Sequence, residues 1–411
     1  MKQIVKQFFA AALLVFGAAA SLTAGDNIPR PEYPRPQFER TDWVNLNGKW
    51  SFELDLNHVG LEKGYPESKG FSGSILVPFS PESELSGVGH TDFITGIWYH
   101  RTIDVPASWE GKNILLNFGA VYYQSDVFVD GKFVGRHFGG SSSFSFDITK
   151  FAAPGTSHDL VVYAQSDLRS MMQPAGKQSL MLGSHDCEYT RTTGIWQTVW
   201  MEPVAGNGLK NVQVNTDIDQ KQLVVHPAFY KEGAAGLKIT VTDPDAPKKP
   251  VAQKTISASN NSVAVIPFKT LKTWSPESPF LYDVNYQVMD KDGKVIDEIK
   301  SYVGMRKVHI EGNKIFLNNV PYYQRLVLDQ GYYPQSQWTA PSDEALKHDI
   351  ELSKNAGFNG ARLHQKVFEE RFHYWADKLG YLTWAEFPSW GIDLNSIEAA
   401  RNFLSEWSEC V

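Results

Sequence analysis

A chain of 411 residues, 42% apolar and 13% aromatic, has the material for several packed cores, which excludes a disordered protein and favours roughly two to four domains. A formal net charge of −7, without any basic run, excludes a polyanion-binding surface, so no nucleic-acid partner is expected.

Residues 1–24 carry Lys2 and Lys6, an apolar stretch from Phe8 to Ala20, and Ala18 and Ala20 at cleavage spacing, the pattern of a secretory signal peptide. That stretch is shorter than the roughly 20 residues a membrane span needs, so the expectation is export to the periplasm or the medium, with no membrane span. Cys187 and Cys410 fall in different predicted domains and are read as free thiols.

Ile28 to Phe38, with four prolines, reads as an extended arm rather than a packed element. A first domain at 36–204 follows, where short alternating apolar runs broken by Gly, Asn, Asp and Pro predict about eight strands and a jelly-roll-like β-sandwich. Asp130-Gly131, between Phe128-Val129 and Phe133-Val134, predicts a tight primed hairpin. Gly139-Gly140 and Ser141 to Ser143 could suggest a phosphate cradle, but a strand and not a helix follows, so the stretch reads as a loop. A second domain at 205–304 shows six further alternating runs, which suits an immunoglobulin-like sandwich. Its Asp243 to Pro250 stretch reads as an exposed loop.

From 305 to 411 the period changes. Ser342 is set to cap a helix that Gly357 ends, and Phe358 to Leu363 follows as a strand. Phe368, Phe372, Trp375, Ala376 and Leu379 form a helical stripe closed by Gly380, and Tyr381 to Glu386 returns to strand. Asn395 with Glu398 resembles a capping box, and Ile397, Ala400, Leu404 and Trp407 predict one buried face of a last helix. Strand and helix alternating in this way predict the first three units of a (β/α)8 TIM barrel, which needs eight units and typically about 250 residues. The barrel is therefore expected to be incomplete within these 411 residues.

Ligand chemistry in such barrels gathers at the C-terminal ends of the strands, which here carry Asp329, then Arg362 and His364, then Glu386. Trp384, Trp390 and Tyr332-Tyr333 lie in the same region, where a flat ring can stack on the apolar face of a pyranose. Trp375 and Trp407 are read as core from their helical spacing, Glu369-Glu370 as a solvated helix start, and His373 as a surface residue.

Several motifs together resemble glycoside hydrolase family two, which contains β-galactosidases, β-glucuronidases and β-mannosidases. They are Gly96-Ile97-Trp98-Tyr99 with Arg101, Val127 to Gly135, Arg191 to Trp196, Trp274-Ser275-Pro276 with Pro279, and Gly304-Met305-Arg306. Leu326 to Gly331, Gly357-Phe358-Asn359 leading into Arg362, and Trp384 to Pro388 look like that family's first three barrel strands.

The resemblance implies a retaining exo-glycosidase acting on terminal β-glycosides, β-galactoside first and β-glucuronide second, through two carboxylates about 5 to 5.5 Å apart. Both glutamates are expected beyond Val411, since no Asn-Glu dipeptide, the acid/base signature, occurs in the sequence. No catalytic residue is thus assigned in this chain, and these residues alone are expected to be inactive.

The substrate-binding set is Asp329, Arg362, His364, Glu386, Trp384 and Trp390. Arg362 matches a family arginine that supports the nucleophile, although an arginine salt-bridged inside the barrel wall reads equally well. His364 resembles a histidine that contacts sugar hydroxyls, although one residue separates it from Arg362 where the family has two. Glu386 could bind a hydroxyl or pair with Arg362. No metal and no cofactor are expected, because the Phe387-Pro388-Ser389-Trp390-Gly391 loop lacks the further Glu and His that bind metal in some members. The partner is a carbohydrate, and the sequence is compatible with a homo-oligomer. A non-catalytic carbohydrate-binding protein with a vestigial barrel is the alternative reading.

Overall fold

The computed structural model describes residues 28–411, so the predicted signal peptide lies outside the described residues. Two β-sandwiches and a smaller parallel α/β layer follow one another along the chain.

In the first sandwich a six-stranded sheet runs in the order Gly73–Val77, Gly48–Leu54, Gly96–Asp104, Ser157–Gln165, Gln124–Val129, Lys132–Phe138. It shares a core with a four-stranded sheet of Val44–Asn45, Val199–Val204, Asn113–Phe118 and Phe144–Asp147. Inward residues of the first sheet, such as Trp50, Tyr99 and Val162, meet Leu116, Phe118 and Met201 of the second, all at most 1% exposed. Alternation along strands of β-branched and aromatic residues produces this arrangement. The Asp130-Gly131 turn forms as expected, with φ of 49° and 74°, and joins Val129 to Lys132.

In the second sandwich a three-stranded sheet (Leu209–Asp217, Gln222–Phe229, Ala264–Pro267) packs on a four-stranded one (Pro250–Ser257, Gly236–Thr242, Tyr282–Met289, Val295–Val303). Seven strands split three and four make an immunoglobulin-like unit. Pro250–Ser257 was not among the predicted strands. It is an edge strand with few buried side chains, and its leading proline and polar Gln253, Lys254 and Thr255 read as loop.

A short ribbon of Val308–Glu311, Lys314–Leu317 and Val320–Pro321 leads into three parallel strands, Leu326–Asp329, Gly360–Leu363 and Leu382–Ala385. Helix α1 (Asp343–Asn355) and helix α2 (Glu370–Leu379) cover one face of this sheet. Ser342 Oγ accepts from Ala345 N to cap α1, and Gly380, at φ 72°, ends α2 in the left-handed conformation. Ala361, Leu363, Leu346, Ile350, Phe372 and Ala376 form the core between them. On the other face Leu328, Arg362 and Trp384 are exposed, Leu328 by 47% and Trp384 by 55%.

Helix α3 (Ile397–Cys410) departs from expectation. Its N-cap is Ser396, whose hydroxyl accepts from Ala399 N, and not Asn395. Its predicted buried stripe faces outward, with Ile397, Leu404 and Trp407 at 74%, 58% and 43% exposure, while Ala399 and Glu406 are the buried positions. Trp407 is therefore not a core residue. Trp375 is half-buried against the α1/α2 core.

Three further readings are corrected. The arm from Ile28 is packed, since Arg30, Tyr33, Phe38 and Arg40 are all buried. Glu369 and Glu370 are not a solvated helix start, because Glu369 accepts two bonds from Arg30, at 3.1 and 2.5 Å, and Glu370 lies 3.4 Å from Arg35. His373 is half-buried, and burial lowers its pKa below the usual histidine value.

Candidate functional site

The C-terminal ends of the parallel strands bring Arg362, His364 and Glu386 together. Glu386 stands just past the end of Leu382–Ala385 and pairs with the Arg362 guanidinium on the neighbouring strand, while its second oxygen accepts from Gln365 N at 3.3 Å. The same oxygen lies 3.9 Å from His364 Nε2. Burial holds the His364 imidazole below its usual pKa, and the Glu386 charge opposes that shift without reversing it. The neutral ring can donate or accept toward a ligand hydroxyl, and its Nδ1 is buried without a hydrogen-bond partner.

Gln365 organises the adjoining loop. It adopts a φ of 58°, and its side-chain oxygen accepts from Ser389 N and Trp390 N at 2.9 and 3.0 Å. Its Nε2 donates to Ser389 Oγ at 3.1 Å. Trp390 thereby stands edge-on to His364, with ring centroids 5.7 Å apart. Trp384, paired in register with Arg362, exposes its indole on the open face of the sheet.

Asp329 belongs to a separate cluster. Its carboxylate accepts from Gly331 N at 2.8 Å and lines a cleft of about 540 Å³ with Tyr189, Tyr332, Tyr333, Asp349 and Tyr381. Burial raises the carboxyl pKa of Asp329. Beneath it Lys366 is buried, donating to Gly331 O and Trp338 O at 2.6 and 2.7 Å, and desolvation pulls its pKa down to about 8. Tyr333 OH donates to Asp349 at 2.8 Å on the wall of the same cleft.

The first sandwich also reaches this edge, which its sequence does not announce. The segment after Leu168–Ser170 crosses to the Trp390 loop, where Ala175 N and Gly176 N donate to Trp390 O at 2.9 and 3.2 Å. Gly176 is at φ 60°, and a Cβ there would lie 2.3 Å from Gln365 O, so only glycine permits this approach. Lys177 follows, with Nζ 3.9 Å from the centroid of the Trp390 ring. One face of Trp390 is thus taken by an ammonium group. Tyr189 of the same segment lies 4.4 Å from Tyr332. Pro174 and Gly176 mark a turn in the sequence, but nothing local signals a partner some 200 positions away.

Among the described residues no cluster of three or more His, Cys, Asp or Glu side chains could hold a metal ion, and no helix is long and apolar enough to cross a membrane. Cys187 and Cys410 are free thiols. The Gly139-Gly140 loop does receive an anion, but an internal one, since Ser141 N donates to the Glu406 carboxylate at 2.8 Å.

A polar, aromatic-rimmed site thus stands at the end of a parallel sheet that follows two sandwiches. The family model for the sugar binding domain of glycosyl hydrolases family 2 matches residues 43–201, and the glycosyl hydrolases family 2 model matches residues 198–306. The chain belongs to glycosyl hydrolases family 2. It is similar to a β-glucuronidase of Paenibacillus borealis, at 23% identity over 84% of this chain and 59% of that protein. A β-galactosidase of Thermoanaerobacter pseudethanolicus is 24% identical over 71% of this chain and 39% of its own length. The fold is that of the β-glucuronidase from Ruminococcus gnavus solved with D-glucuronic acid, with a TM-score of 0.78, 22% identity, and coverage of 93% of this chain and 66% of that one. The chain spans less than two thirds of these relatives.

Proposed function

We propose that this chain is part of an exported retaining exo-glycosidase that removes terminal β-linked sugars of the glucuronide or galactoside class. Its parallel strands are, in this reading, the first three of a (β/α)8 barrel. The observation that carries it is the Arg362, His364 and Glu386 group at the C-terminal edge of a parallel sheet, beside exposed indoles. That edge is where barrel enzymes build their sites. The unusual exposure of Leu328 and Trp384 beside Arg362 supports further strands closing over that face. Export is supported by the charge and hydropathy pattern of residues 1–24.

In this role the fixed charge of Arg362 and the acceptor oxygens of Glu386 orient sugar hydroxyls, and the neutral His364 adds a hydrogen bond. The acid/base and nucleophilic glutamates are assigned to strands outside these residues, because the one ion-paired carboxylate at the mouth is committed to Arg362. The test is hydrolysis of 4-nitrophenyl β-D-glucuronide and β-D-galactoside by the 411-residue chain alone and by the chain extended with its downstream coding sequence. Turnover with retained anomeric configuration only in the extended protein is expected. Turnover by the short chain, or sugar binding without turnover in the extended one, would overturn the reading.

A further inference from the structure

Lys177 is 3% exposed, yet among the described residues its ammonium has neither a hydrogen bond nor an ion pair. Its one specific neighbour is the Trp390 ring, 3.9 Å from Nζ. A cation over an indole gains about 0.5–2 kcal/mol. Nζ itself is not among the fully enclosed polar atoms without a partner, so the ammonium keeps an open side. The ammonium is therefore held on the indole with no acidic partner and stays open to a ligand.

The backbone holds it in place. Arg191 donates to the carbonyls of Ser179 and Leu182, each at 3.2 Å, and Thr192 N donates to Gln178 Oε1 at 2.8 Å, so the residues after Lys177 are fixed from within the first sandwich. On the other side, the bonds from Ala175 and Gly176 to Trp390 O lock the segment to the barrel-like layer. Edge-on to the same indole stands His364, 9% exposed, whose Nδ1 is buried without a partner. Glu386, beside His364, is already engaged by Arg362 and Gln365 N. The local balance is thus two fixed cations, Lys177 and Arg362, against one carboxylate.

We propose that Lys177, presented by the first sandwich on the face of Trp390, is a specificity-determining residue that binds an anionic substituent of the sugar, a carboxylate or a sulfate. This rests on the glycosidase reading above and adds to it a substrate class and a residue from a different domain. The ammonium supplies charge and up to three donors, and His364 Nδ1 supplies a further hydrogen-bonding position beside it. A neutral sugar leaves the ammonium unpaired, so discrimination comes from the penalty on the wrong ligand as well as attraction for the right one.

The experiment titrates the 411-residue chain with methyl β-D-glucuronide, methyl β-D-galactoside 6-sulfate and methyl β-D-galactoside, following tryptophan fluorescence and calorimetry at low salt. At least one charged glycoside is expected to bind about tenfold or more tightly than the neutral one, equivalent to about 1.4 kcal/mol. Which one does so identifies the substituent. In Lys177→Met that ratio should fall to about one, and Lys177→Arg should restore part of it. Raising the salt tenfold on the unaltered chain should erode the ratio too, a readout independent of any variant's folding. Equal affinity for all three sugars, or a preference that survives Lys177→Met, overturns the proposal and leaves the glycosidase reading standing. Failure of all three to bind overturns the proposal and leaves the glycosidase reading to the turnover test on the extended protein.

Discussion

Lys366 is a buried base whose charge the fold makes costly. Its ammonium is fully enclosed, donates to two backbone carbonyls, and sits below the Asp329 cleft. Desolvation lowers its pKa from the ordinary lysine value to about 8, with Glu369, Asp329 and Asp349 opposing the shift. Between pH 8 and about 10 the unfolded chain holds this proton and the folded one does not, so deprotonation in this window favours the folded state. Stability contributed by this group rises with pH there, and it is lowest below pH 8, where the buried charge must be carried. Urea melts of the unaltered chain and Lys366→Met across pH 7.5 to 9.5 should show the unaltered chain gaining stability relative to the variant as pH rises. Parallel curves would remove Lys366 as the titrating group. The sequence singled out Arg362, His364 and Glu386 because strand ends can be read from periodicity. It could not single out Lys366, which looks like any charged residue until the fold encloses it.

At the scale of elements, α3 separates what a hydrophobic stripe can and cannot tell. Its period is helical and the helix forms, but the face turned inward is the one with Ala399, Asn402 and Glu406. The helix docks on the first sandwich through polar bonds. Asn402 Nδ2 donates to Met172 O at 2.8 Å, Glu406 accepts from Ser141 N, and Glu409 accepts from Ser142 Oγ at 2.7 Å while lying 2.9 Å from His137 Nε2. Periodicity assumes that apolar faces bury, and here polar side chains meet backbone and hydroxyl partners in another domain instead. The stripe of Ile397, Leu404 and Trp407 is left exposed by this docking.

Burial raises the Glu406 carboxyl to about 7, its bonds to Ser141 and Gly140 pulling the other way. From pH 4.5 to 7 the folded state keeps a proton that the unfolded state releases, so this group's contribution to stability falls as pH rises through that range and stays low above it. Glu406→Gln keeps an acceptor for Ser141 N and removes the charge. The variant should therefore gain stability relative to the unaltered chain as pH goes from 5 to 7.5, read by thermal melts. A constant offset across that range would show that Glu406 does not titrate there.

For the whole molecule, the arm is the element that joins the parts. Arg30, Arg35 and Arg40 come five residues apart, and each meets an acid far along the chain. Arg30 and Arg35 reach Glu369 and Glu370 at the start of α2, while Arg40 bridges Glu202 of the first sandwich and Asp297 of the second. Tyr33 OH donates to the other Glu202 oxygen at 2.7 Å. Both sandwiches were legible from alternation and turns such as Asp130-Gly131, since those signals are local. The arm's packing is not legible, because its four prolines suggest an extended segment and its anchors lie as far as 339 positions away.

Arg40 carries the sharpest consequence. Its Nε and Nη2 donate to the two Asp297 oxygens at 2.9 and 3.0 Å, Nη2 also donates to Leu209 O at 2.6 Å, and Nη1 donates to Glu202 at 3.1 Å. All three charged groups are buried. Removing only the cation leaves two enclosed carboxylates to repel one another without a partner, which costs about 3–5 kcal/mol in comparable buried pairs. Arg40→Met should therefore lower the urea midpoint and split one transition into two, as the second sandwich loses its clamp to the first. Adding Glu202→Gln and Asp297→Asn to Arg40→Met should recover much of the loss, because the penalty lies in the orphaned charges. If the single variant melted at the same midpoint, the arm would be an ornament on two sandwiches already held together by their own contact. If the triple variant melted no later than the single one, lost packing around the guanidinium stem, and not charge, would be the reason.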